Sequence, residues 1–152
     1  MSIADFGARL LQTRWAVRAP ILLYRAGLGF LFGSRLLMLQ HVGRRSGAAR
    51  FVVLEVVDRP SADHYIVVSG FGAKAQWYRN IQAEPRVRVS TGTKRAVPAT
   101  ATPMTDAESA AALERYRAHH PRAWKNLRAT IERATGAPVG TLPMVELTLQ
   151  AH

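Results

Sequence analysis

The feature of this sequence that most constrains its fold is a short basic turn between two apolar runs. The runs span residues 36–42 and 51–57, are rich in Val and Leu, and enclose the turn Gly43-Arg44-Arg45-Ser46-Gly47. Apolar runs of this length that meet at a turn are typical of a β-hairpin. Glycine allows the tight reversal, because without a Cβ it tolerates a positive φ. The chain is therefore expected to build an antiparallel sheet around this hairpin.

The polar groups of the turn indicate an anion-binding site. Arg44, Arg45 and Arg50 supply planar guanidinium donors that match phosphate or carboxylate, and Ser46 adds a hydroxyl. Backbone N–H groups in a glycine-rich turn can also form a concave anion nest. The residues alone leave a second interpretation open, in which the arginines are simply solvated side chains on an exposed turn.

Composition narrows the class of partner. The 152 residues are enough for one domain with a real core, and 21 basic against 10 acidic residues give a net charge of +11. Such a charge predicts attraction to an anionic small molecule, a membrane surface or a nucleic acid. No nucleic-acid-reading helix or base-stacking motif accompanies the charge, so nucleic acid is not the expected partner. The absence of cysteine excludes disulfides and thiolate catalysis and is typical of a reducing compartment, so a cytoplasmic location is expected.

The chain is expected to form a single domain over residues 1–152. An N-terminal helical segment over 1–34 precedes the core over 35–152, with one short helix at 2–12 and another that begins near Pro20. Charges at Arg25 and Arg35 interrupt the apolar stretch, which is too short to span a bilayer. Two interpretations remain open for residues 15–35: packing against the core, or peripheral contact with the inner face of the membrane.

The rest of the chain alternates short strands with helices. Further strands are expected at 64–69, 86–91, 95–101 and 143–149, with a turn at 58–63. Helices are expected at 75–83, from the capping box Thr105–Glu108 to about 118, and from Pro121 to about Thr135, with Gly136 as the expected stop. Since the strands follow one another mostly as hairpins, the expected class is α+β, a partly closed antiparallel barrel with inserted helices.

No catalytic set is evident from residue spacing. The chain has no G-x-S-x-G element, its histidines lack metal-ligand spacing, and its few acidic residues are scattered, so no metal site is expected. An enzyme built this way needs a bound cofactor for the difficult step. In residues 69–74, small side chains let a flat ligand approach the backbone. Trp77 and Tyr78 then offer apolar surfaces for that ligand, although the residues alone favour core packing for both.

Three spaced motifs resemble the deazaflavin-dependent nitroreductase family. They are Gly43-Arg44-Arg45-Ser46-Gly47 with Arg50, then Tyr65-Ile66-Val67-Val68-Ser69-Gly70, then Trp77-Tyr78-Arg79-Asn80-Ile81 with Ala83-Glu84-Pro85-Arg86-Val87. The resemblance covers residues 35–105. It implies a split antiparallel β-barrel related to flavin-reductase-like proteins and the deazaflavin coenzyme F-420 as cofactor, with flavin mononucleotide less expected.

The resemblance also implies which residues meet the cofactor. The basic hairpin would hold the phosphate and oligoglutamate tail, and the Ser69 loop and the helix after it would line the deazaflavin ring. The implied cofactor-binding residues are Arg44, Arg45, Ser46, Gly47, Arg50, Ser69, Gly70, Lys74, Trp77, Tyr78 and Asn80.

The implied reaction is hydride transfer to a small hydrophobic acceptor: a nitro compound, a quinone or an activated double bond. The proton donor stays open, with Tyr78 and Ser69 as candidates and Tyr116 as a further one. The alternative is a non-catalytic fatty-acid-binding or membrane-associated protein on the same fold. Split barrels of this type often form homodimers, which makes a homodimer an open expectation here.

Overall fold

The computed structural model describes residue 21 and residues 35–70, 72–140 and 142–150. The expected helix at 2–12, the body of the helix near Pro20 and almost all of the stretch at 15–35 lie outside these residues, as does Phe71 of the predicted loop. Ile21 is helical. The division of the chain at residue 34 stays a prediction.

Six strands form a closed antiparallel barrel in the described part of the chain. They are β1 (Leu36–Val42), β2 (Ala49–Ser61), β3 (His64–Val68), β4 (Arg86–Thr91), β5 (Lys94–Pro103) and β6 (Met144–Leu149). Their order around the barrel is β1-β2-β3-β6-β5-β4, and β4 pairs again with β1. The predicted antiparallel barrel of the α+β class is confirmed.

Alternation along the strands decides which side chains fill the barrel. On β4, Val87 and Val89 are buried inside while Arg86 and Arg88 are exposed, as the sequence predicts. On β1, Leu37 and Leu39 are fully buried. The interior is completed by apolar residues of the remaining strands and of the helix that follows β3: Leu54, Tyr65, Val67, Trp77, Tyr78, Ile81, Val97, Ala99, Ala101, Val145, Leu147 and Leu149.

The turn predicted at 58–63 lies between β2 and β3 but is shorter than predicted, because β2 continues to Ser61 and the reversal occupies only Ala62 and Asp63. The pairing of β2 with β3 shifts register between Val56 and Asp58 and again between Asp58 and Ser61. Pro60 lies within the second irregularity, where a missing N–H costs little because the ladder is already interrupted. Turn-forming residues therefore mark bulges here rather than the loop itself.

Within residues 72–140, three α-helices accompany the barrel: α1 (Gln76–Ala83), α2 (Asp106–His119) and α3 (Pro121–Thr135). The predicted capping box opens α2, since the Glu108 N–H donates to Thr105 Oγ1 (3.1 Å) and the Thr105 N–H donates to Glu108 Oε1 (2.9 Å). Gly136, at φ +71°, ends α3 as predicted. Among the described residues, no helix combines the length and apolarity needed to cross a membrane.

The helices α2 and α3 cover the outer face of β2, β3 and β6. A second apolar cluster forms there, with Val57, Ile66, Met144, Ala112 and Ile131 among its buried members. The third helix, α1, packs its buried side chains into the barrel core instead. It lies beside the basic turn between β1 and β2.

One polar pair crosses the interface between α2 and β2. The Tyr116 hydroxyl donates to Glu55 Oε1 at 2.8 Å, and burial raises the pKa of Glu55 above its usual value. Tyr116→Phe removes the donor from a carboxyl that is largely out of water. We expect this change to lower the free energy of unfolding by about 1–3 kcal/mol, measured by urea denaturation at pH 7.

Glu55→Gln is the matched variant. It keeps an oxygen that accepts from Tyr116 and removes the charge that burial disfavours. Because the folded-state pKa is raised, ionised Glu55 destabilises the fold as the pH rises through that pKa. We therefore expect the Gln variant to be at least as stable as the parent at pH 7. A loss equal to that of Tyr116→Phe contradicts this account.

Candidate functional site

The hairpin loop at 43–48 is a tight, internally bonded reversal. The Gly43 N–H donates to the Ala48 carbonyl and the Gly47 N–H donates to the Gly43 carbonyl, both at 2.8 Å. Gly47 adopts φ +71°, which confirms the positive φ expected of a glycine in this turn. Ser46 Oγ accepts from the Ala48 N–H at 3.2 Å. The loop is therefore held in one shape by its own backbone.

The loop leaves two backbone donors available. The Arg44 N–H donates to Asn80 Oδ1, whereas the N–H groups of Arg45 and Ser46 meet no acceptor within the described residues. Exposed N–H groups in a basic turn can bind an anion, as the sequence suggests.

A cavity of about 990 Å³ opens beside this loop. It lies between the loop, the start of β2, the 3₁₀ turn Gly72–Lys74 and α1. The described residues that line it are Ile21, His41, Gly43, Arg44, Arg45, Ser46, Ala49, Arg50, Phe51, Val52, Lys74, Ala75, Gln76, Trp77 and Asn80.

The charged side chains that the described residues place in the cavity are all cationic. Arg44, Arg45, Arg50 and Lys74 line it, and none of the described lining residues carries a carboxylate. Burial first, and repulsion from Arg79 and Arg45 second, lower the pKa of Arg44 below its usual value. A polyanionic ligand relieves this repulsion.

The apolar side of the cavity comes from Trp77 and its neighbours. Trp77 is 7% exposed and belongs to the barrel core, as the core-packing interpretation expects; it also lines the cavity, and its contact with a ligand stays a prediction. Its ring meets the Tyr78 ring edge-on, with centroids 5.9 Å apart and an interplanar angle of 86°. Phe51, Val52 and Ala75 extend the apolar lining.

The structure brings together seven of the predicted site residues. Arg44, Arg45, Ser46, Arg50, Lys74, Trp77 and Asn80 all line the cavity. Gly47, Ser69, Gly70 and Tyr78 are not among the lining residues. Gly47 acts through the shape of the loop, and Tyr78 packs in the barrel core.

Ser69 and Gly70 shape and pack the loop that follows β3. The Ser69 side chain is fully buried, and its hydroxyl donates to the Gly72 carbonyl at 2.6 Å. A Cβ on Gly70 would come within 3.3 Å of Ile131 Cγ1, so the small residue there accommodates α3. Tyr116, the further proton-donor candidate, bonds to Glu55 under α2.

His41 is a buried polar residue of the cavity that the sequence reasoning did not single out as a site candidate. It is 4% exposed, lines the cavity, and its Nδ1 lies 3.1 Å from Asn80 Nδ2. Burial, with repulsion from Arg50, lowers the pKa of His41 from 6.5 to about 4. A signal was present, because His41 continues the inward row of Leu37 and Leu39 on β1.

Gly43 is required for space. A Cβ at this position would lie 2.7 Å from Ser46 Oγ and 3.4 Å from the Ala48 carbonyl oxygen. We expect Gly43→Ala to cost about 1–3 kcal/mol in thermal or urea unfolding, because the loop must shift. In the double variant with Ser46→Ala the cost should fall below the sum of the two single changes. Strict additivity contradicts the contact.

The comparisons with known proteins agree with this geometry. A family model described as F420H(2)-dependent quinone reductase matches residues 23–147. No curated relative matches the sequence.

Several solved structures share the fold at low identity. A structure described as a domain-swapped dimer is 20% identical, with 90% of this chain and 98% of that chain covered and a TM-score of 0.55. An F420-H2 dependent reductase is 22% identical, with 74% and 93% covered and a TM-score of 0.50. A Listeria innocua protein provisionally assigned as a pyridoxamine 5′-phosphate oxidase is 11% identical, with 85% and 94% covered and a TM-score of 0.53.

These structural likenesses establish the barrel, and the family model establishes the family. The family model extends over the whole barrel except the end of β6. It also includes every cavity-lining residue named above except Ile21. The predicted resemblance to deazaflavin-dependent reductases is thereby confirmed. The chain belongs to the F420H(2)-dependent quinone reductase family, and it is an oxidoreductase that uses coenzyme F-420.

Proposed function

We propose that this protein transfers a hydride from reduced coenzyme F-420 to a small hydrophobic acceptor, with quinones the first class to test. Nitro compounds and activated double bonds are the other acceptors in this proposal. The main support for this proposal is that one cavity combines four cationic side chains with an apolar wall around Trp77. The family match supports the reductase and does not favour the fatty-acid-binding alternative.

The residues present fit the cofactor by the chemistry of their donors. Arg44, Arg45 and Arg50 match the phosphate and carboxylates of the F-420 tail, since guanidinium forks bind such groups in pairs of hydrogen bonds. Lys74 adds a fourth positive charge. Ser46 and the available N–H groups of the loop complete the polar wall.

The apolar lining suits the ring of the cofactor. Trp77, Phe51 and Val52 provide flat or branched surfaces beside the cations. A cavity of about 990 Å³ is large enough for a cofactor and part of an acceptor. In this proposal Ser69, Gly70 and Tyr78 have an indirect role: they support the loop and the helix that carry Lys74 and Trp77.

Reduced F-420 supplies the hydride when it is bound. What the chain contributes is binding, orientation and exclusion of water. The cations hold the tail, Trp77 limits the positions of the ring, and the apolar lining favours acceptors of low polarity.

The experiment titrates the purified protein with oxidised F-420, and in parallel with flavin mononucleotide, by fluorescence quenching. We expect F-420 to bind more tightly, with an affinity that weakens as salt screens the cations. Turnover is then measured with reduced F-420 and a naphthoquinone, a nitroaromatic or an unsaturated ketone. Binding of flavin alone refutes the choice of cofactor, and binding of neither favours the fatty-acid alternative.

We also propose that the protein forms a homodimer. The support is the structural neighbour described as a domain-swapped dimer, which covers 90% of this chain. Light scattering coupled to gel filtration is expected to give twice the mass of one chain, and a mass of one chain contradicts it.

A further inference from the structure

Three residues from three elements form a continuous hydrogen-bonded chain at the cavity wall. Asn80 Oδ1 lies 3.2 Å from the Arg44 backbone nitrogen and 2.7 Å from Arg44 Nη1, and Asn80 Nδ2 lies 3.1 Å from His41 Nδ1. Asn80 and His41 are each 4% exposed. The chain thus ties the end of β1 to α1 and α1 to the basic loop.

The chemistry of the donors fixes every proton in this chain. A backbone N–H and a guanidinium only donate, so the Asn80 atom that faces Arg44 is the carbonyl oxygen. The NH₂ group of Asn80 must then face His41, and it also only donates. His41 Nδ1 therefore accepts and carries no proton. The ring is neutral, with its proton on Nε2.

Protonation of His41 is incompatible with this arrangement. An imidazolium presents an N–H at Nδ1, which opposes the NH₂ group of Asn80. If the amide turned to offer its oxygen to His41, its NH₂ group would oppose both donors of Arg44. In either case the network loses a hydrogen bond in a buried place.

We propose that His41 is a positioning residue of the site: its unprotonated Nδ1 orients the Asn80 amide, and the amide oxygen holds Arg44 against the cavity. The effect on F-420 binding rests on the proposed function, whereas the network itself does not. Asn80, predicted as a cofactor ligand, acts in this account through Arg44.

The charges around His41 favour the same neutral state. Arg50 stands directly opposite on β2, in register with His41. Arg44 and Arg45 approach from the loop, Lys74 lines the same cavity from the 3₁₀ turn, and α1 contributes the neutral Asn80 with Arg79 on its exposed side. No carboxylate of the described lining residues offsets them. The surrounding cations therefore favour a neutral His41 that accepts a hydrogen bond, whereas a protonated His41 would weaken the hydrogen bonds that hold Arg44.

The test compares His41→Asn with His41→Leu. The two side chains have nearly the same size, but only Asn keeps an acceptor close to the position of Nδ1. Two quantities are measured at pH 7: hydrogen exchange of the Arg44 amide by NMR, and the affinity for F-420. We expect His41→Leu to accelerate Arg44 exchange by about tenfold and to weaken F-420 binding by about five- to tenfold, and His41→Asn to recover most of both.

A second measurement covers the case in which the Leu variant does not fold. Nitrogen-detected NMR of the parent protein is expected to show the His41 proton on Nε2 at pH 7. In Asn80→Asp, the carboxylate still accepts from Arg44 but offers only acceptors to His41. We expect the His41 proton to move to Nδ1 there, while the Arg44 amide stays protected.

The outcomes separate this inference from the proposed function. Equal Arg44 exchange in the Leu and Asn variants, or a proton on Nδ1 in the parent protein, overturns the role of His41. Failure of F-420 to bind the parent protein refutes the proposed function. In that case hydrogen exchange of the Arg44 amide in the two variants still tests the hydrogen-bonded network.

Discussion

Replacing Arg50 with methionine is expected to weaken F-420 binding by about ten- to hundredfold while leaving the barrel folded. Arg50 is the second residue of β2, lies on the cavity wall and is exposed there. A hydrogen bond to a charged group is worth about 1.5–3 kcal/mol, and about 1.4 kcal/mol corresponds to a factor of ten in affinity. Methionine keeps much of the aliphatic volume, so the loss reports the guanidinium.

The control is Arg122→Met, which makes the same change of charge at an exposed residue of α3 that is not among the residues lining the cavity. We expect its F-420 affinity to stay within about twofold of the parent value, since an exposed charge outside the cavity lining acts only through a field that solvent and salt screen. Both affinities are measured by fluorescence titration at two salt concentrations. The Arg50 variant should also show a weaker salt dependence. Equal affinities for the two variants contradict the tail-binding role of Arg50.

Local sequence chemistry predicted most of the fold. Alternation placed Val87 and Val89 inside β4, and the reciprocal Thr105–Glu108 cap marked the start of α2. These features are readable because each depends on residues within a few positions of one another. The strand β2 was placed too short, since Pro60 signals a turn and a bulge equally well.

The candidate site was predictable only in part, because it depends on contacts between distant segments. The basic turn was visible as a motif, and its cations do line the cavity. The bond between Asn80 and His41 joins residues 39 positions apart, and no local pattern encodes it. The packing of Gly70 against Ile131 is likewise set by where α3 lies on the barrel. A motif therefore indicated which loop borders the cavity, while tertiary packing decides which side chains face it.

Acidification is expected to destabilise the protein through His41 by up to about 3 kcal/mol between pH 6.5 and pH 4, because a tenfold change in proton affinity corresponds to about 1.4 kcal/mol. The pKa of His41 falls from 6.5 to about 4 in the folded state, through burial first and repulsion from Arg50 second. As the pH falls below 6.5, the unfolded chain binds a proton at this position and the folded chain does not. This contribution to stability is therefore fully present above pH 6.5 and is lost as the pH falls towards 4.

His41→Asn isolates this contribution, because asparagine keeps an acceptor for Asn80 but does not titrate in this range. Urea unfolding of both proteins is measured from pH 7 to pH 4. The parent should lose up to about 3 kcal/mol relative to the Asn variant across that interval. The raised pKa of Glu55 acts in the opposite direction, since it favours the folded state in acid, but both proteins contain Glu55 and its effect cancels. If the two stability curves run parallel down to pH 4, His41 is not held neutral by the fold, and the hydrogen-bonded chain to Arg44 loses its basis.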